Sequence, residues 1–254
     1  MPKAFVHGVP ETSALWGALV DEVKVRGIDD VTLLSPPGFG APAPPGWAPT
    51  QKNYCAWLIG ELEALGGDVN LVGHDWGAGH VYGVLAERPD LLRSWAADCA
   101  GLIHPDYIWH DLAQLWQTPE VGEQTVGAMI GGRPEERAAR LIGLGLPSDI
   151  ASAIAADQND EMARCILALY RSAAQPAMRE LGRRLLDTEQ RPGLVIIATD
   201  DPYAGTAAMG SEVAGALGAR SFTLEGFAHW WMFEGAAAAA EALVAHWGAA
   251  ARAT

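Results

Sequence analysis

The sequence predicts an α/β fold: a mostly parallel sheet with helices on both faces, interrupted once by a block of helices. Three observations predict it. Short apolar, β-branched runs alternate with helical periodicity from the N-terminus to Cys99. From His104 to Arg191 helical patterns follow one another with no convincing strand. The alternation then returns from Leu194 to the C-terminus. Apolar strands joined by helices imply parallel pairing, with the sheet buried on both faces.

The elements are read in order as follows. Ala4–Val6 is a strand, and Thr12–Val25 a helix stopped by Gly27. Val31–Leu34 is the second strand. Thr50 is placed to cap the next helix, in which Tyr54, Trp57, Leu58, Leu62 and Leu65 form one stripe before Gly66-Gly67. Val69–Val72 is a strand, followed by a helix from Ala78 to Glu87 that stops before Pro89. Ser94–Cys99 is a strand. After the helical block come the strand Leu194–Ala198, a helix near Gly205–Leu217 and the strand Ser221–Leu224. Gly235 opens a last, Ala-rich helix, Ala being the best helix former. The expected organisation is a core of residues 1–103 and 192–254, with a helical cap inserted at 104–191.

Composition narrows the function. With 31 acidic and 17 basic residues in 254, the net charge of −14 argues against nucleic acid or an anionic membrane as partner. No apolar run reaches the length of a membrane helix, and the N-terminus meets turn residues too early for a signal peptide. Cys55, Cys99 and Cys165 are scattered and lack metal-ligand spacing, so reduced thiols in a cytoplasmic protein are expected.

One stretch carries chemistry: Leu71-Val72-Gly73-His74-Asp75-Trp76-Gly77-Ala78-Gly79. It has the form Gly-x-nucleophile-x-Gly, directly after a strand and before a helix, as a nucleophile elbow requires. The small residues let a tight turn form and let the helix approach the strand. The tip is Asp75. A carboxylate oxygen displaces a leaving group from sp³ carbon, forming an alkyl ester that activated water then hydrolyses. The bland alternative is an Asp that merely turns the chain and caps the next helix.

A base is expected after the last strand, where Gly226-Phe227-Ala228-His229-Trp230-Trp231 lies. His229 is the candidate, since an imidazole with a pKa of about 6.5 accepts a proton at working pH. His80, His104, His110 and His246 lack this strand-end position. A carboxylate must orient the imidazole. Asp201, in Asp200-Asp201-Pro202 after the strand Leu194–Ala198, is preferred over Asp200, and the order Asp75, Asp201, His229 suits the elbow. Asp98, at the end of Ser94–Cys99, stays open as an alternative.

His74-Asp75-Trp76-Gly77 resembles the motif of α/β-hydrolase-fold epoxide hydrolases and haloalkane dehalogenases, and the resemblance extends over nearly the whole chain. His7-Gly8-Val9-Pro10-Glu11 is similar to their oxyanion segment. The resemblance implies an oxyanion hole of the Val9 and Trp76 N–H groups and a cis Val9–Pro10 bond. Members usually open with two further strands, so it implies a core shortened at its N-terminus. The Asp-Pro pair at 201–202 resembles the family's acid position; some haloalkane dehalogenases place that acid where Asp98 stands.

In the cap, Met162, Cys165, Ile166, Leu169 and Tyr170 share one helix face, so Tyr170 points inward. Tyr170-Arg171 resembles the cap Tyr-Arg of epoxide hydrolases, where the phenol protonates the departing alkoxide. An amphipathic core tyrosine is the equal alternative. Leu115-Trp116-Gln117-Thr118-Pro119 resembles the segment after the first cap helix, but the position of the family's second tyrosine falls on Leu112 here. Tyr107 is the candidate substitute, and Trp109 and Trp116 are candidate substrate contacts or halide donors. The expectation is therefore an epoxide hydrolase acting on a hydrophobic small molecule, with no metal or organic cofactor. Haloalkane dehalogenation is the alternative, a non-catalytic binding member of the fold comes third, and homodimer formation is left open.

Overall fold

In the computed structural model, which describes residues 1–252, six strands form one fully parallel sheet. In chain order they are β1 (Lys3–Val6), β2 (Thr32–Leu34), β3 (Val69–Gly73), β4 (Leu92–Ala97), β5 (Gly193–Ala198) and β6 (Arg220–Leu224). Their order across the sheet is β2-β1-β3-β4-β5-β6. The chain reverses direction of travel across the sheet between β1 and β3. At such a switch point the loops leaving the two strands part to opposite faces and open a crevice at the carboxyl ends.

Every strand expected from the sequence is present. Side-chain alternation assigns each face its helices. Val6, Leu71, Ala97 and Val195 point into the core shared with α2 (Gln51–Ala64), α3 (Trp76–Glu87) and α10 (Ala207–Ala216). Phe5, Val72, Ala96 and Ile196 point the other way, into the core shared with α1 (Gly17–Val25) and α11 (Ala236–Ala250). Thr50 caps α2, its hydroxyl accepting from Asn53 N at 3.3 Å, and Thr206 caps α10 likewise.

Several boundaries differ from expectation by a residue or two, and three of them show why. The first helix begins as a 3-10 turn at Ser13–Trp16 before α1 proper. The helix after β3 starts at Trp76, two residues early, because Asp75 itself makes the turn. Strand β4 ends at Ala97, not Cys99. Cys99 has φ +48°, a left-handed conformation that leaves no room in a ladder and turns the chain into a 3-10 turn at Ala100–Ile103.

Between β4 and β5 lie α4 (Asp111–Gln117), α5 (Val121–Ile130), α6 (Pro134–Gly143), α7 (Ser148–Asp157), α8 (Asp160–Ser172) and α9 (Ala177–Leu185). Helices α4, α5 and α8 pack on one another. The expected stripe of α8 is buried in full, Met162 through Tyr170. Met162, Ile166 and Leu169 each contribute about 1.5–3 kcal/mol by burial. Helices α6 and α7 form a hairpin around Leu141, Leu146 and Ile154, which rests on Trp230 and Phe233. Helix α9 packs back onto α3 and the turn at Ala100–Ile103. No helix among the described residues is long and apolar enough to cross a membrane. Cys55, Cys99 and Cys165 are buried free thiols.

Candidate active site

The elbow is built from crowding. Strand β3 ends at Gly73 and α3 starts at Trp76, leaving His74 and Asp75 to reverse the chain. Asp75 takes φ +52°, ψ −119°, a strained conformation for a residue with a Cβ, which lifts its carboxyl to the crevice. A Cβ on Gly77 would strike the Val6 carbonyl, and one on Gly73 would lie 2.7 Å from the Gly77 carbonyl oxygen. Both glycines are thus required by close backbone approach. Gly8 is required too, since a Cβ there would fall on the Asp75 carboxyl.

The loop after β1 meets this carboxyl. Val9 N donates to Asp75 Oδ2 at 2.9 Å, and the Val9–Pro10 bond is cis. Trp76 N is the first amide of α3, where a helix leaves its N–H groups free of intrahelical partners. Burial of Asp75, together with the Glu11 charge and against that of His229, raises its pKa to about 6.

His229 sits in the loop after β6, buried, its Nδ1 donating to Asp201 Oδ2 at 2.8 Å. Asp201 Oδ1 accepts from Tyr203 N at 2.8 Å, which fixes the carboxylate. Burial works against both charged forms, but the pairing outweighs it: Asp201 is held below its usual range and His229 above its own. Asp98 faces elsewhere. It accepts from His74 Nδ1 at 2.5 Å, from Asp75 N at 2.9 Å and from Trp231 Nε1 at 2.7 Å. Of the two acids left open by the sequence, Asp201 meets the imidazole and Asp98 braces the elbow.

A cavity of about 590 Å³ opens over Asp75 and His229, walled on its other side by α4, α5, α6 and α8. Its walls are mostly apolar, with Val9, Leu112, Trp116, Met129, Leu144 and Trp230 among them. Tyr170 reaches it from α8, against the edge of Trp76 at 5.3 Å between ring centroids. Burial and then the Asp75 charge push the phenol well above its usual pKa, and the neighbouring Trp76 side chain works the other way. Among the described residues no protein group accepts a hydrogen bond from the Tyr170 hydroxyl, so its proton is free to donate into the cavity.

Two expected contacts are corrected by this geometry. Tyr107 directs its hydroxyl to the Tyr203 carbonyl at 2.7 Å, so its donor is spent outside the cavity. Trp109 stacks on Trp76 at 5.8 Å and packs against Tyr170 at 5.6 Å, supporting the wall from behind. Trp116 does line the cavity, and its Nε1 is buried without a partner.

The alpha/beta hydrolase family pattern matches residues 4–243, nearly the whole chain. The chain belongs to the alpha/beta hydrolase family. An epoxide hydrolase from Caballeronia sordidicola is 34% identical to this hydrolase over 95 residues, which is 35% of the chain and 28% of that relative. This hydrolase therefore spans about 28% of the length of that relative in the match. A candidate epoxide hydrolase from Pseudomonas aeruginosa superposes with a TM-score of 0.78 at 18% identity, covering 99% of this chain and 90% of the other. A haloalkane dehalogenase loop variant from Bradyrhizobium elkanii gives 0.74 at 20% identity, with 98% and 90% covered. At these identities the superpositions speak for the fold.

The hydrolase also contains functional-site residues that sequence reasoning passed over. Glu11 and His74 were visible only as members of motif turns. Here His74 lies between two buried carboxylates, Asp98 at 2.5 Å and Glu11 Oε1 at 3.3 Å, the latter at ion-pair distance without hydrogen-bond alignment. Burial opposes both charges, but the two carboxylates raise His74 well above the usual imidazole range, and His74 in turn holds Glu11 well below the usual carboxylate range. Glu11, His74 and His229 offer ligand atoms within 4.8 Å of one another, as a metal would use. Yet a protonated His74 has no lone pair to give, and the Glu11 oxygens already accept from Trp230 Nε1 and Gly8 N. The cluster fits an ion-pair network better than a cation. His110, set aside for its position in the sequence, lines the cavity.

Proposed function

We propose that this hydrolase opens epoxides to vicinal diols through an ester on Asp75. The observation that carries this reading is Tyr170, a buried phenol that lines the same cavity as Asp75 and has no protein acceptor for its proton among the described residues. Asp75 attacks one ring carbon, the C–O bond breaks, and the alkoxide takes the Tyr170 proton. Water then attacks the ester carbonyl while His229, oriented by Asp201, takes its proton. The oxyanion is held by Val9 N–H and Trp76 N–H; its collapse expels the second alkoxide, which takes the proton from His229 to give the diol, and the Asp75 carboxyl returns its proton to the Tyr170 phenolate. The cavity walls suit an apolar small molecule.

A second reading, haloalkane hydrolysis, is favoured by the unpartnered Trp116 Nε1 at the cavity, a donor for a halide. The two are separated by assaying diol from styrene oxide against bromide release from bromoalkanes. Tyr170→Phe is expected to slow diol formation about 10²–10⁴-fold, the range of general acid catalysis. Bromide release, which needs no proton on the leaving group, should be spared. An unchanged diol rate overturns the role of Tyr170.

The acid limb of ester formation, read in a single turnover, is expected at about pH 6, where Asp75 ionises. The sign follows from the nucleophile being the carboxylate: protonation abolishes attack, and a raised pKa moves that loss to higher pH. A limb near an ordinary carboxylate, about 4, would contradict it. Once Asp75 is esterified its charge is gone. That charge helps hold a proton on His229, so ester formation itself readies the base for water.

A further inference from the structure

Resting on the epoxide reading, we propose that His110 is a second donor to the ring oxygen, its Nε2–H stabilising the alkoxide while Tyr170 transfers the proton. The position where a second tyrosine is expected holds Leu112, and Tyr107 has spent its hydroxyl elsewhere. His110 lines the same cavity as Asp75, Tyr170 and His229.

The tautomer is decided by the backbone. His110 is the N-cap of α4, with φ −61° and ψ 158°, and its Nδ1 accepts from Ala113 N at 3.2 Å. A nitrogen that accepts an N–H carries no hydrogen, so the single hydrogen of a neutral imidazole is on Nε2. Among the described residues no protein group takes that Nε2–H. Burial, and then the charge of His229, lower the pKa of His110 to about 4, against the opposing pull of Asp201 and Asp111. The ring is therefore a neutral donor at ordinary assay pH and a poor base. It is also held in place: its centroid lies 4.9 Å from that of Tyr203, which is edge-on, and 6.5 Å from those of Tyr170 and Trp109. A neutral imidazole N–H does not give up its proton near pH 7. The balance is thus unchanged: one C–O bond breaks, one proton comes from Tyr170, and His110 contributes a hydrogen bond aimed where negative charge develops.

The test uses the full-length His229→Gln protein, in which ester formation from styrene oxide is read alone. Adding His110→Ser keeps a hydroxyl cap for Ala113 N but removes the ring donor. Ester formation is expected to slow about 10²–10³-fold, the effect of deleting one such donor, with an unshifted acid limb. His110→Asn, the stronger cap, repeats the measurement should the Ser variant prove unstable. ¹⁵N NMR of the parent should show His110 neutral with the hydrogen on Nε2 from pH 8 down to pH 5 or so. Ester formation within twofold of the parent in both variants, while Tyr170→Phe is slow, overturns the role of His110 and leaves the epoxide reading standing. A hydrogen on Nδ1 overturns it as well. If the His110-intact protein forms no ester from any epoxide, the epoxide reading fails first and this proposal with it.

Discussion

Incubated with an epoxide, the His229→Gln protein is expected to gain the full mass of that epoxide on the peptide carrying Asp75. Ring opening adds the substrate without loss, since the leaving oxygen stays attached. An alkyl bromide would instead add its mass less HBr, so one spectrum separates the two chemistries. The physical basis is the division of labour in the crevice. Attack needs the Asp75 carboxylate, steadied by Val9 N at 2.9 Å, and Tyr170 in the same cavity; the substitution removes neither, and since losing the His229 charge raises the Asp75 pKa, the adduct is read at alkaline pH. Hydrolysis needs a base for water, and a Gln amide does not accept a proton. General-base removal costs about 10²–10⁴ in rate, enough to make the ester the resting species. Overall turnover should fall by the same factor. An Asp75→Asn control must show no adduct. If the wild type turns over and no ester is trapped on Asp75, that residue is not the nucleophile.

The second large effect concerns stability. Gly77→Ala is expected to cost about 3 kcal/mol or more, because the new methyl group meets the Val6 carbonyl, backbone against backbone. A flexible side chain could swing away; a carbonyl inside the β1–β3 ladder cannot. Relief requires α3 to withdraw from β1, which would also pull Asp75 away from Val9 N. Urea unfolding should show a lower midpoint with an unchanged m-value, and the soluble fraction should have lost activity out of proportion to its folding. Gly127→Ala, in a helix where nothing lies near the added methyl group, is the control and should be neutral or slightly stabilising. A wild-type midpoint for Gly77→Ala would mean that the elbow is looser than its contacts imply.

Much of the site was legible because it is local. The end of strand β3, the turn at Asp75 and the start of α3 occupy nine consecutive residues, Leu71 to Gly79, and small residues stand wherever the turn needs them. His229 and Asp201 follow β6 and β5, so strand order alone places them at the carboxyl edge. Tyr170 was pointed inward by the spacing of α8. What failed was whatever depended on a partner remote in sequence. Tyr107 and Tyr203 are 96 residues apart, and only their contact shows that the Tyr107 hydroxyl is spent. His110 was passed over because its role comes from capping α4 beside the cavity, not from a strand end.

The sequence by itself determined a parallel α/β core, its helical interruption, a carboxylate at the elbow and a histidine after the last strand. Those features rest on side-chain periodicity and turn sterics, which act over a few residues. Only the tertiary structure decided between Asp201 and Asp98, since both end strands at the same edge of the sheet. His74 and Trp231 claim Asp98, and Tyr203 N turns Asp201 toward His229. The physical reason is that a buried carboxylate goes to whichever donors packing brings within about 3 Å, and packing joins segments that the chain keeps apart.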